Sequence, residues 1–432
     1  MRILVLVILG LFAQEIASAD TEKNISTSSV EVTADASSKT FASPPKLQNA
    51  IYRAAITRSD AQQIIFNFEV KQEEGKQVIY IMNGDERMLV DNISSEKDSI
   101  IVQLPFYESS FRLVKLKNGN LQGIWIKRLA DRDQVLPFTA TINNSVRFQS
   151  NKKNAFNIDG RWAVKFIRDS STSTGIGEFV QEGKRLTGSF LTSSGDYRYL
   201  EGIVYGDSLV LSGFDGGFAL LFKAKIESGE KISGGLLYSG NGAPSKWEAV
   251  KDENVALPDE FEQTHLREGE STLNFAFEDL KGNKVSIKDP RFQGKVVVVQ
   301  ILGSWCPNCI DETRYLMELY EKYNAKGLEM VALAYERTTD KERSIAALNR
   351  LQEKLKIPYP VLWTGVSVSD NQKTEKTLPQ IDAIKVFPTS IILGRDGKVK
   401  KIHTGFSGPG TGVHYTEHKK VFEKLMQDLL SE

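Results

Sequence analysis

VVVVQILGSWCPNCIDE, Val296 to Glu312, contains both cysteines of the 432-residue chain, set three positions apart. Its first part, VVVVQIL (Val296 to Leu302), is the nearly continuous apolar run expected of a strand buried on both faces. Pro307 then suits a first helical turn, Asp311 and Glu312 follow closely, Lys326 lies in a last turn and Gly327 is a terminator. The stretch therefore predicts a strand running straight into a helix, with Cys306 at the N-cap and Cys309 one turn inside. Unpaired amides and the helix dipole favour an anion at that end, so the outer thiol ionises readily, and the thiolate is the nucleophile. On this reading Cys306 attacks a partner disulfide, Cys309 resolves the mixed disulfide, and Trp305 flanks an exposed sulfur.

Two blander readings compete. A disulfide closing so short a loop removes little entropy from the unfolded chain, so stapling alone is a poor reason for this spacing. A Cys-x-x-Cys half-site for zinc needs two further ligands, and only His265, His403, His414 and His418 remain to supply them. His414 and His418 stand four apart but read as the wet face at the start of the last helix. No metal and no cofactor are expected.

Downstream, LEMVALAY reads as a second buried strand, ERSIAALNRLQEKLK as a helix and YPVLW as a strand. TSIILG and KVKKIHTG form a hairpin and KKVFEKLMQDLL a final helix. With a hairpin at NFAFEDLKGNKVSI ahead of the opening stretch, this is an α/β layer on one sheet, spanning 256–432. Upstream the texture differs. Short alternating runs such as QVIYIM, GIWIKR and RWAVKF, punctuated by Asn83-Gly84, Asn118-Gly119 and Asp159-Gly160, predict antiparallel strands with tight turns. They fall into a β-rich region at 47–150 and a glycine-denser one at 156–252, the latter spaced like a small barrel or sandwich. The fold class is thus multidomain: an antiparallel all-β region followed by an α/β domain.

The first residues carry an address. Arg2 precedes an eleven-residue apolar run, Ile3 to Ala13, and Ala17-Ser18-Ala19 offers a cleavage site, so 1–19 reads as a secretory signal and 20–46 as a flexible leader. The mature protein is expected to be periplasmic or secreted, with no membrane span after cleavage. Lysine plus arginine equal aspartate plus glutamate at 55 each, with no basic stripe, which argues against a nucleic-acid partner. GPGTGVH (Gly408 to His414) lacks the spacing of a phosphate loop and reads as a turn near the thiols.

The strand followed by Gly-Ser-Trp-Cys306-Pro-Asn-Cys309, with VFPTS (Val386 to Ser390) about eighty residues on, resembles the thioredoxin superfamily. Within it, the resemblance is to the exported TlpA and ResA type thiol-disulfide oxidoreductases, over Thr272 to Glu432. The resemblance implies a thioredoxin-like C-terminal fold, Cys306 and Cys309 as a redox-active disulfide, and Trp305, Pro388 and Thr389 as the surface that binds a partner chain. It further implies a cis Pro388 facing the sulfurs and Glu312 as a proton carrier for the inner cysteine. Two positions depart from thioredoxin itself: Gln300 replaces an aspartate, leaving Glu312 the better proton acceptor, and Pro-Asn replaces Gly-Pro between the cysteines.

The implied partners are protein disulfide or dithiol substrates and an electron-donor redox protein. A competing reading makes the β region an envelope binding module with the thiols as a redox switch. A peroxiredoxin-like peroxidase, the remaining alternative, would require proline at Val299 and threonine at Gly303, and so lacks its peroxide site.

Overall fold

Alternating sequence becomes antiparallel pairing throughout the first half of the molecule. The computed structural model describes residues 46–432; the expected signal peptide and all but the last residue of the leader lie outside the described residues. Among the described residues the strands form three sheets of nine, nine and seven members. The first is an open meander between Ile51 and Ile142 whose two edges are Glu86–Val90 and Asn92–Glu96. Gly84, at φ 54°, makes the tight turn before the first of these edges. Asp159-Gly160 is no hairpin turn: Gly160 opens the strand Gly160–Arg168.

The second sheet, between Gly160 and Lys251, closes on itself because Ser171–Glu182 pairs with Arg185–Thr192 as well as with Gly160–Arg168. A closed barrel leaves few exposed edges and fills its inside with side chains, here Trp162, Phe190, Phe222 and Trp247. The strand Ser208–Phe214 explains why its sequence is apolar rather than alternating. Leu209 and Leu211 point into the barrel, whereas Val210 and Phe214 join the core of the first sheet. The two β sheets thus share a buried interface, with Phe66 stacked on Phe214 at 4.3 Å.

The third sheet orders its strands as Lys284–Ser286, Ala276–Asp279, Val361–Trp363, Leu328–Ala334, Val296–Leu302, Thr389–Leu393 and Val399–Thr404. Its centre is parallel: Val296–Leu302 pairs with Leu328–Ala334 in register Val296 to Leu328. Leu328–Ala334 also pairs in parallel with Val361–Trp363, and the remaining pairings are antiparallel. Val296 and Val298 pack under one face and Val297, Val299 and Ile301 under the other, so a strand buried on both sides needs an unbroken apolar sequence. Helices α1 (Pro307–Tyr323), α2 (Lys341–Leu355) and α4 (Val413–Ser431) supply Leu316, Leu348 and Met426 to the first face. A short α3 (Lys373–Thr377), which the sequence reading does not contain, precedes the Pro388 loop. The described residues form one compact unit, and Phe106 and Tyr107, on a loop between two strands of the first sheet, enter the core beneath α1.

Candidate active site

Cys306 takes extended dihedrals (φ −104°, ψ 110°) as the N-cap of α1, and its sulfur accepts from Cys309 N at 3.2 Å. Pro307 occupies the first helical position, where its missing N–H is no loss. One turn on, Cys309 is bonded to Cys306 as a disulfide. Cys306 Sγ lies 3.5 Å from the carbonyl oxygen of Phe387, and the Phe387–Pro388 peptide is cis. Thr389 follows, its hydroxyl donating to Val386 O at 2.9 Å across the cis bond. Trp305 is held by its indole N–H to Tyr335 O at 2.9 Å and by contacts with the Phe387 ring and the Arg337 guanidinium. The structure therefore brings Trp305, Cys306, Cys309, Pro388 and Thr389 together around one disulfide.

Glu312 stands one turn beyond Cys309 on the same side of α1 and is wholly enclosed. Gln300 Nε2 donates to one carboxyl oxygen at 2.7 Å and Ser390 Oγ to the other at 3.0 Å. Burial outweighs these donors and raises its pKa from 4.5 to about 7. The chain links onward: Thr313 hydroxyl contacts both Gln300 and Cys309 O, so the proton-binding carboxyl and the inner cysteine share one hydrogen-bonded cluster.

One expectation is corrected: the outer sulfur is not exposed. Cys306 is only 4% accessible because the barrel reaches over it. A cavity of about 280 Å³ lies between Trp305, Cys306 and Phe387 on one side and Ser194, Tyr197 and Phe218 on the other. Close approach depends on small residues: a Cβ at Gly195 would stand 2.3 Å from the Asn308 amide, and one at Gly217 2.8 Å from Pro307. A second correction concerns His418, which is buried at 6% rather than on a wet face, while His414 is half-buried against Glu178.

The barrel is also clamped to α1 by charge. Arg198, in a left-handed conformation at φ 57°, places Nε 2.9 Å from Asp311 Oδ2, Nη1 2.6 Å from Asp215 and Nη2 2.7 Å from Glu86. One guanidinium thus binds a carboxylate from each of the two β sheets and from the helix that carries the cysteines. Burial alone would weaken its hold on the proton, but the three carboxylates reverse this and raise its pKa. Asp311 is therefore not merely a first-turn acid. Beside it Asp196 accepts from the amides of Arg198 and Gly408, and burial lifts its pKa to about 6. Sequence reasoning missed Arg198, Asp196, Asp215 and Glu86, for no local pattern marks partners lying so far apart in the chain.

The profile described as Redoxin matches residues 267–418. Those residues are a redoxin domain. A thiol-disulfide oxidoreductase ResA of Bacillus thuringiensis subsp. konkukian is 36% identical over 132 residues, covering 30% of this chain and 66% of the relative, just short of two thirds of its length. The ResA of Bacillus subtilis is 25% identical over 140 residues, 32% of this chain and 69% of that one. Among solved structures, the redoxin domain is similar to a thiol-disulfide oxidoreductase from Bacteroides fragilis, with 21% identity, 34% of this chain, 98% of the other and a TM-score of 0.27. The likeness to thiol-disulfide oxidoreductases is confined to the redoxin domain, and the 18 β-strands from Ile51 to Lys251 precede the matched residues.

Proposed function

We propose that this chain is an exported protein thiol-disulfide oxidoreductase, working in the periplasm or as a secreted protein, and that its barrel helps choose the partner. The observation that carries the reading is the pairing of Cys306, at the positive end of α1, with Cys309 beside the Pro388 loop. In the dithiol form, the Cys306 thiolate attacks one sulfur of a partner disulfide, forming a mixed disulfide and releasing the partner's first thiolate. Glu312 takes the proton from Cys309, whose thiolate then attacks Cys306 Sγ and expels the partner's second thiolate. Two electrons pass to the partner, and a donor redox protein restores the dithiol; the same steps reversed oxidise a partner dithiol. Trp305 and the backbone at Pro388 and Thr389 receive the partner chain, with Tyr197 and Phe218 as the facing wall.

Export rests on the sequence of residues 1–19, outside the described residues. The switch reading draws support from the clamp between Arg198 and Asp311, which couples the β region to the thiol helix. One experiment separates the two. Cys309→Ser leaves Cys306 unable to resolve, so an exchange enzyme accumulates mixed disulfides visible by non-reducing gel and identifiable by mass spectrometry. A protein that traps no partner through Cys306 under these conditions is not an exchange enzyme.

A further inference from the structure

Between the barrel and the redoxin domain, the connecting segment runs alongside the strand Val399–Thr404. The amide of Thr404 donates to Glu260 O at 2.9 Å, and the hydroxyl of Thr404 donates to that of Thr264 at 3.0 Å. This pins Glu260 beside His403, which is fully buried on that strand, and beside His418 on α4. The two imidazole rings are 4.6 Å apart and lie among Phe261, Phe406 and Phe422. His403 Nε2 is 2.9 Å, and His418 Nδ1 3.4 Å, from the same oxygen of Glu260. Neither contact has the direction of a hydrogen bond: both nitrogens of His403 and Nδ1 of His418 are buried without a hydrogen-bond partner.

That combination is unusual for a plain ion pair. A buried polar atom left unpaired costs about 1–3 kcal/mol, and an imidazolium would turn its N–H onto the carboxylate. Donor atoms bound to one cation behave differently, since each points at the common centre and not at its neighbour. With bonds of about 2.0–2.2 Å in tetrahedral array, ligand atoms stand roughly 3.3 Å apart. One donor atom from each of Glu260, His403 and His418 falls within 4.8 Å of the others. We propose that Glu260, His403 and His418 bind a divalent transition-metal cation of the zinc class.

Two imidazole nitrogens and one carboxylate oxygen suit zinc and its neighbours better than calcium or magnesium, which prefer all-oxygen shells. Three protein ligands leave a fourth position for water, and Glu260, one-third exposed, provides the side open to solvent. The ligands come from the connecting segment, a strand and α4, so a bound cation would tie the connection between barrel and redoxin domain to the redoxin fold.

The test uses the full chain as a Cys306→Ser/Cys309→Ser double variant, so that no thiolate competes for metal and the result is independent of thiol exchange. After chelator treatment, zinc is titrated by calorimetry at pH 7.5, and cobalt(II) is added separately for its visible absorption. One equivalent of zinc is expected, with cobalt bands of a tetrahedral nitrogen and oxygen site. Glu260→Gln, at a partly exposed position of nearly unchanged shape, and His418→Asn should each weaken binding at least about tenfold. Absence of stoichiometric binding overturns the proposal. So does binding that Glu260→Gln leaves unchanged, since the cation would then sit elsewhere, for example on His265 or His414.

Discussion

Replacing Glu312 by glutamine tests the central electrostatic feature of the site without touching sulfur. The native carboxyl is enclosed, and its affinity for a proton rises from an ordinary 4.5 to about 7, chiefly through burial. Unfolding returns it to water. Between pH 4.5 and 7 the folded protein therefore keeps a proton that the unfolded chain has lost, and stability falls as pH rises. At 1.36 kcal/mol for each pH unit of that interval, the ionised carboxyl costs about 3 kcal/mol above pH 7. Glutamine removes the cost while preserving shape. Its carbonyl can still accept from Gln300 Nε2, and its amide can donate to the Ser390 hydroxyl, which now accepts. The measurement is guanidinium unfolding of both oxidised proteins from pH 4.5 to 8.5. Other buried carboxyls with raised affinity, such as Asp196 and Glu336, are common to both and cancel in the difference. Relative to the variant, the wild type should lose about 3 kcal/mol across the window, with most of the change complete by pH 7. A difference that stays flat shows that Glu312 ionises as it would in water, and the argument for its role as proton carrier fails with it.

Two further substitutions probe how the β region holds the thiol helix. Arg198→Ala leaves Glu86, Asp215 and Asp311 without their shared guanidinium and should destabilise by about 3–5 kcal/mol. Arg198→Lys should recover only part of this, because an ammonium cannot reproduce the fork to Asp311; a loss below 1 kcal/mol in urea unfolding of the alanine variant would contradict the clamp. Gly217→Ala forces a methyl to within 2.7 Å of the Tyr107 ring and 2.8 Å of Pro307, so the barrel loop must lift from the start of α1. The reduced variant should alkylate faster at Cys306 than the wild type, and an equal rate would mean that the loop does not govern access.

How much of this was legible in the sequence depends on how far apart the determining residues lie. The strand, the N-cap and the helix from Pro307 follow from residues within one short stretch, because burial on both faces and the unpaired amides of a first turn are local demands. The hairpin at Thr389–Leu393 and Val399–Thr404 is equally local, with Gly397 at φ 73° between its strands. The contact between Cys306 and Phe387 is not local, and the resemblance of VFPTS to a known motif supplied it. The barrel over the sulfur had neither kind of signal. Gly195 and Gly217 look like ordinary turn residues until their distances to Asn308 and Pro307 are known. Arg198 sits in a polar stretch, Gly195 to Tyr199, that any hairpin could contain, yet it meets Asp311 across 113 positions.

The same distinction explains why the sulfur was expected to be exposed and is not. The local geometry of a helix start fixes where a thiol can ionise, but access to it depends on what the rest of the chain places over that end. In this protein the covering element is held by one arginine shared among three carboxylates, an arrangement that breaks at high cost when any partner is removed. The cavity of about 280 Å³ facing Cys306 is closer to the space for a side chain and its adjoining backbone than for a folded surface. On the proposed function, a partner disulfide carried on an extended segment would fit this space, and the Gly217→Ala comparison tests that restriction. Faster alkylation by a small reagent together with relaxed choice among protein disulfides would place partner selection in the barrel loops, whereas faster alkylation with unchanged choice would confine it to Trp305 and the Pro388 loop.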